Sequence, residues 1–88
     1  MLLERLTNEE RKMIRFRVRE LMGDKAFREN RRVTFEEVSS ATGINRTTLS
    51  KMVNQRGHNT TTDNLDQLCR FFKCAISDLV EYVELPEE

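Results

Sequence analysis

The 88-residue sequence predicts a small all-α domain of four to five helices, and it leaves short terminal β-strands open as an alternative at the two ends. Apolar residues recur every three or four positions through most of the chain, which is helical spacing. One proline is present, and residues suited to begin a helix stand before most periodic segments. A chain of this length builds one modest core, so we expect an N-terminal extension at residues 1–12, a single domain at 13–85 and an acidic tail at 86–88.

Composition narrows the class of protein. Charged residues make up 34% and apolar residues 38%, which suits a folded soluble domain rather than a disordered chain. No apolar run reaches the length of a membrane span, and acidic residues interrupt the apolar start, so we expect neither a membrane segment nor a secretory signal. The protein is therefore expected in the cytoplasm, with Cys69 and Cys74 as reduced thiols.

The net charge of zero hides a split along the chain. Residues 1–58 hold 13 basic and 8 acidic side chains, whereas residues 59–88 hold 2 basic and 7 acidic ones. A basic part of this kind is typical of a surface that meets a polyanion, and the acidic part would be held away from it.

The first predicted helix covers residues 18–27, where apolar side chains keep helical spacing. Just before it, Ile14 and Phe16 alternate with arginines, a pattern that fits a β-strand as well as a helix. A strand would need a partner, and residues 79–84 are the other segment with strand character. The arginines would then line one face of the strand. Further upstream, residues 7–10 have the spacing of a capping box.

Residues 34–54 predict two short helices joined by a tight turn. Thr34 and Glu37 have the spacing of a capping box, in which the hydroxyl accepts from the Glu37 N–H and the carboxylate reaches back to the cap. Gly43 supplies the left-handed conformation that ends the first helix, and Asn45 is suited to cap the second. Because the turn is only about three residues long, the helices must cross steeply.

The two faces of this helix pair differ in chemistry. Val38 and Ala41 of the first helix are expected to face inward. The apolar contacts that fix the angle of the second helix are expected from Ile44, Leu49, Met52 and Val53. The opposite face of the second helix carries Arg46, Thr47, Ser50, Lys51 and Asn54.

Two more helical segments follow. Thr61 is suited to cap a helix whose first turn contains Asp63. The buried stripe of this helix would consist of Leu65, Leu68, Cys69 and Phe72. After a break at residues 73–75, apolar residues up to Val83 predict a final turn or two of helix that leads into the alternative strand.

Residues 34–54 resemble the helix-turn-helix of bacterial and phage repressors, both of the lac repressor type and of the phage repressor and Cro type (XRE family). The shared positions are Thr34, Gly43 with Ile44 after it, Leu49, and the closing Ser50, Lys51, Met52, Val53 and Asn54. Ser39 departs from the family, which usually has alanine there, but serine is nearly as small. One helix before the motif and one or two after it match the phage repressor type, so the resemblance covers about residues 18–83 and implies a lambda-repressor-like fold.

The resemblance implies a sequence-specific DNA-binding transcriptional regulator, a repressor, that reads the major groove with the helix at residues 45–54. The base-reading residues would be Arg46, Thr47 and Lys51, with Ser50 and Asn54 second in rank. The phosphate contacts would come from Thr34, Thr48, Arg56, His58, Asn59 and Thr60. Thr34, Thr60 and His58 have a purely structural alternative. Arg28, Arg31 and Arg32 can either reach a phosphate or remain solvated loop charges.

The expected partner is double-stranded DNA, bound by a homodimer, because two-fold pairing on half-sites is how the family gains affinity. The apolar side chains Val80, Tyr82, Val83 and Leu85 would either join the two copies or close the core. The alternative function is a protein-interaction module of the antitoxin type, which binds a toxin or a polymerase subunit with the same helices.

Catalysis and metal binding find no support in the sequence. Cys69, Cys74 and His58 are fewer than the four ligands of a structural zinc site, and the cysteine spacing is not that of a zinc motif. No nucleophile, base and orienting group cluster in the sequence, and no glycine-rich phosphate loop is present. We therefore expect no metal, no cofactor and no enzymatic activity.

Overall fold

The computed structural model describes residues 12–84, and all structural statements refer to that part of the chain. It contains five helices and two strands. In chain order they are β1 (Lys12–Phe16), α1 (Val18–Glu29), α2 (Phe35–Thr42), α3 (Arg46–Asn54), α4 (Thr62–Phe72), α5 (Ile76–Leu79) and β2 (Val80–Glu84). The prediction of a mostly helical domain with short terminal strands is confirmed. The capping-box spacing at residues 7–10 and Leu85 lie outside the described residues.

The two strands form an antiparallel sheet that joins the ends of the described chain. Ile14 lies opposite Tyr82, and Phe16 lies opposite Val80. The alternation before α1 therefore belongs to a strand, and its partner is the predicted one. Phe16 and Val80 also pack against the core, which ties this end of the sheet to the helices.

The expectation that the arginines line one face of the strand is wrong. Of Arg15, Arg17 and Arg19, only Arg15 lies in β1, because the helix already begins at Val18, whose side chain is fully buried. Arg15 forms ion pairs with Glu20 and, at 3.2 Å, with Glu81. It thus links the sheet to the first turn of α1.

The core takes at least one side chain from each helix. Its buried members are Val18, Val38, Ile44, Leu49, Met52, Leu68, Phe72 and Leu79. Leu49 is fully buried, and complete burial of a leucine contributes about 1.5 to 3 kcal/mol. Because α3 buries Leu49 and Met52, the side chains on its opposite face are held in a fixed orientation toward solvent. No helix of residues 12–84 is long and apolar enough to cross a membrane.

The inward face of α2 differs from the prediction at one position. Ala41 is exposed, and Thr42 is buried instead. Val38 and Thr42 are four residues apart and therefore lie one above the other on the same helix face. The Thr42 hydroxyl donates to the Val38 carbonyl at 2.7 Å and accepts from the Ile44 N–H at 3.2 Å. A polar side chain can occupy this buried position because both of its hydrogen-bonding functions are satisfied.

The end of α4 explains why the two cysteines meet. Lys73 adopts a left-handed conformation with φ of 55°, and the Cys74 N–H donates to the Cys69 carbonyl at 3.1 Å. A hydrogen bond of this kind closes the C-terminus of a helix. The two residues that it joins commonly also make an apolar contact. Burial raises the pKa of Cys74 to about 11. Cys74 therefore packs as a neutral thiol.

Candidate nucleic-acid interface

The turn between α2 and α3 has the predicted geometry. The Thr34 hydroxyl accepts from the Glu37 N–H at 3.1 Å at the start of α2, and Gly43 ends this helix with φ of 79°. The Asn45 side chain accepts from the Thr47 N–H at 2.6 Å at the start of α3. Three residues thus separate the helices, and the predicted caps and turn of the motif are confirmed.

The second half of the predicted capping box is wrong. The Glu37 carboxylate does not return to the cap, because both of its oxygens accept hydrogen bonds of 2.7 Å from Arg31. A bidentate guanidinium is a stronger donor than a single backbone N–H. The hydrogen bonds from Arg31 to Glu37 lower the pKa of Glu37. Arg31 also binds Glu29 at 2.8 Å. Arg31 therefore fastens the α1–α2 connection to α2.

The side chains of α3 divide into a buried and an exposed face. Successive residues are about 100° apart around a helix. Leu49 and Met52 point into the core, and the half of the circumference opposite to them contains five polar side chains within an arc of about 140°. That half carries Arg46, Thr47, Ser50, Lys51 and Asn54. The structure thus brings all five predicted base-reading residues to one face.

These five side chains differ in exposure and in hydrogen bonding. Arg46, Thr47, Lys51 and Asn54 are exposed, whereas Ser50 is half-buried. The Asn54 side-chain amide donates to the Ser50 hydroxyl at 3.3 Å. Within residues 12–84, Arg46 and Lys51 form no ion pair. Both cations are therefore free to meet an anion or a base edge.

The electrostatic surroundings of α3 are set by an acid-free stretch. Residues 38–62 contain no aspartate or glutamate, although they contain Arg46, Lys51 and Arg56. Among the five described helices, α3 is the one without an acidic side chain in its first turn. The positive end of its dipole is thus not neutralised by a carboxylate, which favours an approaching anion.

The predicted phosphate-binding residues flank this face from two sides. Arg56 and Asn59 are exposed in the loop after α3, and Thr48 is half-buried at the margin of α3. The Thr60 hydroxyl accepts from the Asn64 side chain at 3.0 Å, so it also orders the start of α4. Thr34 lies apart, at the start of α2, where its hydroxyl serves as a cap.

His58 is half-buried, unlike the exposed Arg56 and Asn59. Its Nε2 atom is buried, and within the described chain it has no hydrogen-bond partner. The ring borders a cavity whose other walls include Ile14, Leu65, Val80 and Tyr82. A phosphate contact from His58 would therefore have to use Nδ1 or the backbone N–H.

Two residues with a role in positioning this surface were missed by the sequence reasoning. Thr42 fixes the turn from inside, and its four-residue spacing from Val38 was the available signal. Arg31 was considered for phosphate contact, whereas it holds Glu37 and Glu29. Six residues separate Arg31 from Glu37 across a connection outside any helix, so no periodicity pointed to that pair.

Three features define a helix-turn-helix DNA-binding protein. They are the helix pair with its three-residue turn, the exposed polar face of α3, and the absence of acidic side chains from residues 38–62. The comparison with family models agrees: the Cro/C1-type helix-turn-helix DNA-binding domain matches residues 17–84. The chain belongs to this family, and it is a DNA-binding regulator whose partner is double-stranded DNA. Among curated proteins and among solved structures, nothing matches.

Proposed function

We propose that the protein is a sequence-specific transcriptional repressor that inserts α3 into the major groove and binds its operator as a homodimer. The observation that supports this most directly is the stretch at residues 38–62, which contains no acidic residue. It includes α3, whose outer face is made of exposed polar and cationic side chains. The lack of carboxylates favours an approach to DNA, since carboxylates repel the phosphate backbone.

The base-reading roles follow from hydrogen-bonding chemistry. Arg46 and Lys51 are suited to the O6 and N7 acceptors of guanine, and Thr47 can bond to several bases or contact a thymine methyl group. Arg46 stands at the first position of α3, and in this class of motif the N-terminal residues of the reading helix contact base edges. Ser50 and Asn54, which bond to each other, would act as a pair of second rank.

Phosphate contacts are proposed for the flanking residues. Arg56 and Asn59 have exposed side chains in the loop that follows the reading helix, so they are the leading members. The further members are Thr34, Thr48, His58 and Thr60. Such contacts fix the register of the protein on the duplex without reading its sequence.

Repression needs no further activity. A dimer that occupies an operator overlapping a promoter excludes the polymerase by its volume alone. We place this action in the cytoplasm, where the thiols of Cys69 and Cys74 stay reduced.

The test compares two exposed arginines. Arg46→Ala should weaken binding to the selected operator by about 1 to 3 kcal/mol and relax one base position. Arg70→Ala is the matched control, because Arg70 is exposed on α4 and, among residues 12–84, forms an ion pair with Asp66 alone. Equal affinities of the two variants would contradict the proposed role of α3.

One observation supports the alternative of a protein-interaction module that binds a toxin or a polymerase subunit. Phe27 on α1 is 88% exposed, the largest exposed fraction among the large apolar side chains of the described chain. Exposed aromatic side chains are frequent anchors of protein interfaces. If this function dominates, Phe27→Ser should abolish the regulatory effect in cells while operator binding in vitro stays unchanged.

A further inference from the structure

We infer that a second copy of this chain binds to the outer part of the terminal sheet, at the surface defined by Ile14 and Tyr82. This inference rests on the dimeric DNA binding proposed above and names its contact. Among the described apolar residues near the chain end, it assigns the contact to Tyr82, because Tyr82 is exposed whereas Val80 and Val83 are half-buried.

The two side chains that define the surface are exposed and adjacent. Ile14 is 51% exposed, Tyr82 is 61% exposed, and they lie directly opposite each other in the sheet. The neighbouring pair toward the helices, Phe16 and Val80, is packed against the core. Within residues 12–84, the Ile14–Tyr82 pair is thus an exposed apolar extension of the core, and its burial against a second copy is favourable.

The sheet itself is incomplete. Residues 12–84 contain two strands, so each strand leaves one edge without a hydrogen-bonded neighbour. Two-stranded sheets are marginal in water and normally gain stability from a third strand or from packing against another element. A second copy at the same surface supplies that packing for both sheets at once.

The balanced charges of the sheet favour a second copy of this chain, rather than a strongly charged partner, at this surface. The sheet carries two cations and two anions, and the register places Lys12 opposite Glu84 and Arg15 opposite Glu81. A two-fold contact joins two copies of the same surface, so the charges of that surface must not repel an identical surface. The sheet meets this condition, whereas the face of α3 carries cations without carboxylates.

The position of the sheet suits a dimer that reads DNA. A groove of about 520 Å³ lies between β1 and the last turn of α3, and its walls include Met13, Val53 and Val83. Gly57, in the loop after α3, lies close to β1: a β-carbon at this position would be 3.8 Å from the Cε atom of Met13. Met13 and Val83 alternate with Ile14 and Tyr82, so the face of the sheet opposite to the proposed contact lies beside the C-terminal end of the reading helix. A second copy bound through Ile14 and Tyr82 would set the distance between two such helices, which must be about 34 Å for half-sites one turn apart.

The experiment is sedimentation equilibrium of the full chain in the absence of DNA. The unaltered protein should be dimeric, and Ile14→Ser and Tyr82→Ser should each raise the dimer dissociation constant at least tenfold. Phe27→Ser is the matched control, because it removes an even more exposed apolar side chain, which lies on α1. Circular dichroism of each variant verifies that the fold is retained.

Chemical cross-linking keeps the inference testable if a serine variant fails to fold. In a Cys69→Ser, Cys74→Ser background, Tyr82→Cys should yield dimers with a short bis-maleimide, and Phe27→Cys should not. A monomeric unaltered protein, sheet variants that associate normally, or a dimer broken by Phe27→Ser would each overturn the inference.

A separate measurement distinguishes this inference from the proposed function. Monomeric sheet variants should bind a duplex with one half of the selected site as tightly as the unaltered chain does, and should lose affinity only for the complete site. Failure of the unaltered chain to select any DNA site would refute the proposed function, whereas sedimentation would still decide the contact between copies.

Discussion

Replacing Thr42 by valine is expected to destabilise the fold although the volume of the side chain hardly changes. Thr42 is 9% exposed, and its hydroxyl is the acceptor for the Ile44 N–H at 3.2 Å. Ile44 is itself 3% exposed, so water has little access to the N–H when the hydroxyl is removed. The substitution leaves a buried donor without a partner, at the turn that orients α3.

The expected magnitude follows from that single lost partner. An unsatisfied buried donor costs about 1 to 3 kcal/mol, and we expect about 2 kcal/mol for Thr42→Val. In a domain of this size, 2 kcal/mol lowers the melting temperature by about 8 to 16 °C. Thr42→Ser is the control, because it keeps the hydroxyl and loses one buried methyl group at a cost of about 1 kcal/mol.

Urea unfolding followed by circular dichroism measures both variants against the unaltered protein. The valine variant should have the lower midpoint, with an unchanged slope, and the serine variant should lie between it and the unaltered protein. A serine variant that is less stable than the valine variant would show that the methyl group, rather than the hydrogen bond, carries the stabilisation.

Three further predictions concern charge, pH and thiol chemistry. Arg56→Ala should weaken DNA binding about equally on all sequences and reduce the slope of log affinity against log salt by about 1, which titrations at several salt concentrations would reveal. Arg31 lowers the pKa of Glu37, so the ionised carboxylate stabilises the folded chain at neutral pH. This stabilisation is lost as the pH falls from the ordinary pKa of 4.5 through the lowered pKa of the folded state. The difference in melting temperature between the unaltered protein and Glu37→Gln should therefore vanish over that pH range. Burial raises the pKa of Cys74 to about 11, so at pH 8 iodoacetamide should modify it at least tenfold more slowly in the folded protein than in urea, and equal rates would contradict its burial.

Local rules were sufficient for the parts of the fold that depend on neighbouring residues. The caps Thr34, Asn45 and Thr61 and the left-handed Gly43 each satisfy backbone groups within four residues, and all four were predictable from spacing. The inward stripe of α3 was likewise fixed by helical periodicity.

Contacts between distant residues lay beyond that reasoning. The Arg31–Glu37 bridge crosses an irregular connection, and Arg15 reaches Glu81 from the far end of the chain. Periodicity could not separate a strand from a helix at Ile14, because five alternating residues fit both until a partner strand is in place. The chemistry of the reading face was predictable by residue type, since the exposed side of one helix follows from its buried side.

Selection of bound duplexes from a random pool at about 0.15 M salt tests the central claim, that α3 reads base edges, most directly. The unaltered protein should enrich a two-fold symmetric motif, and Arg46→Ala should enrich the same motif with one base pair in each half relaxed. No enrichment, or a motif identical for the unaltered protein, Arg46→Ala and Lys51→Ala, would contradict it.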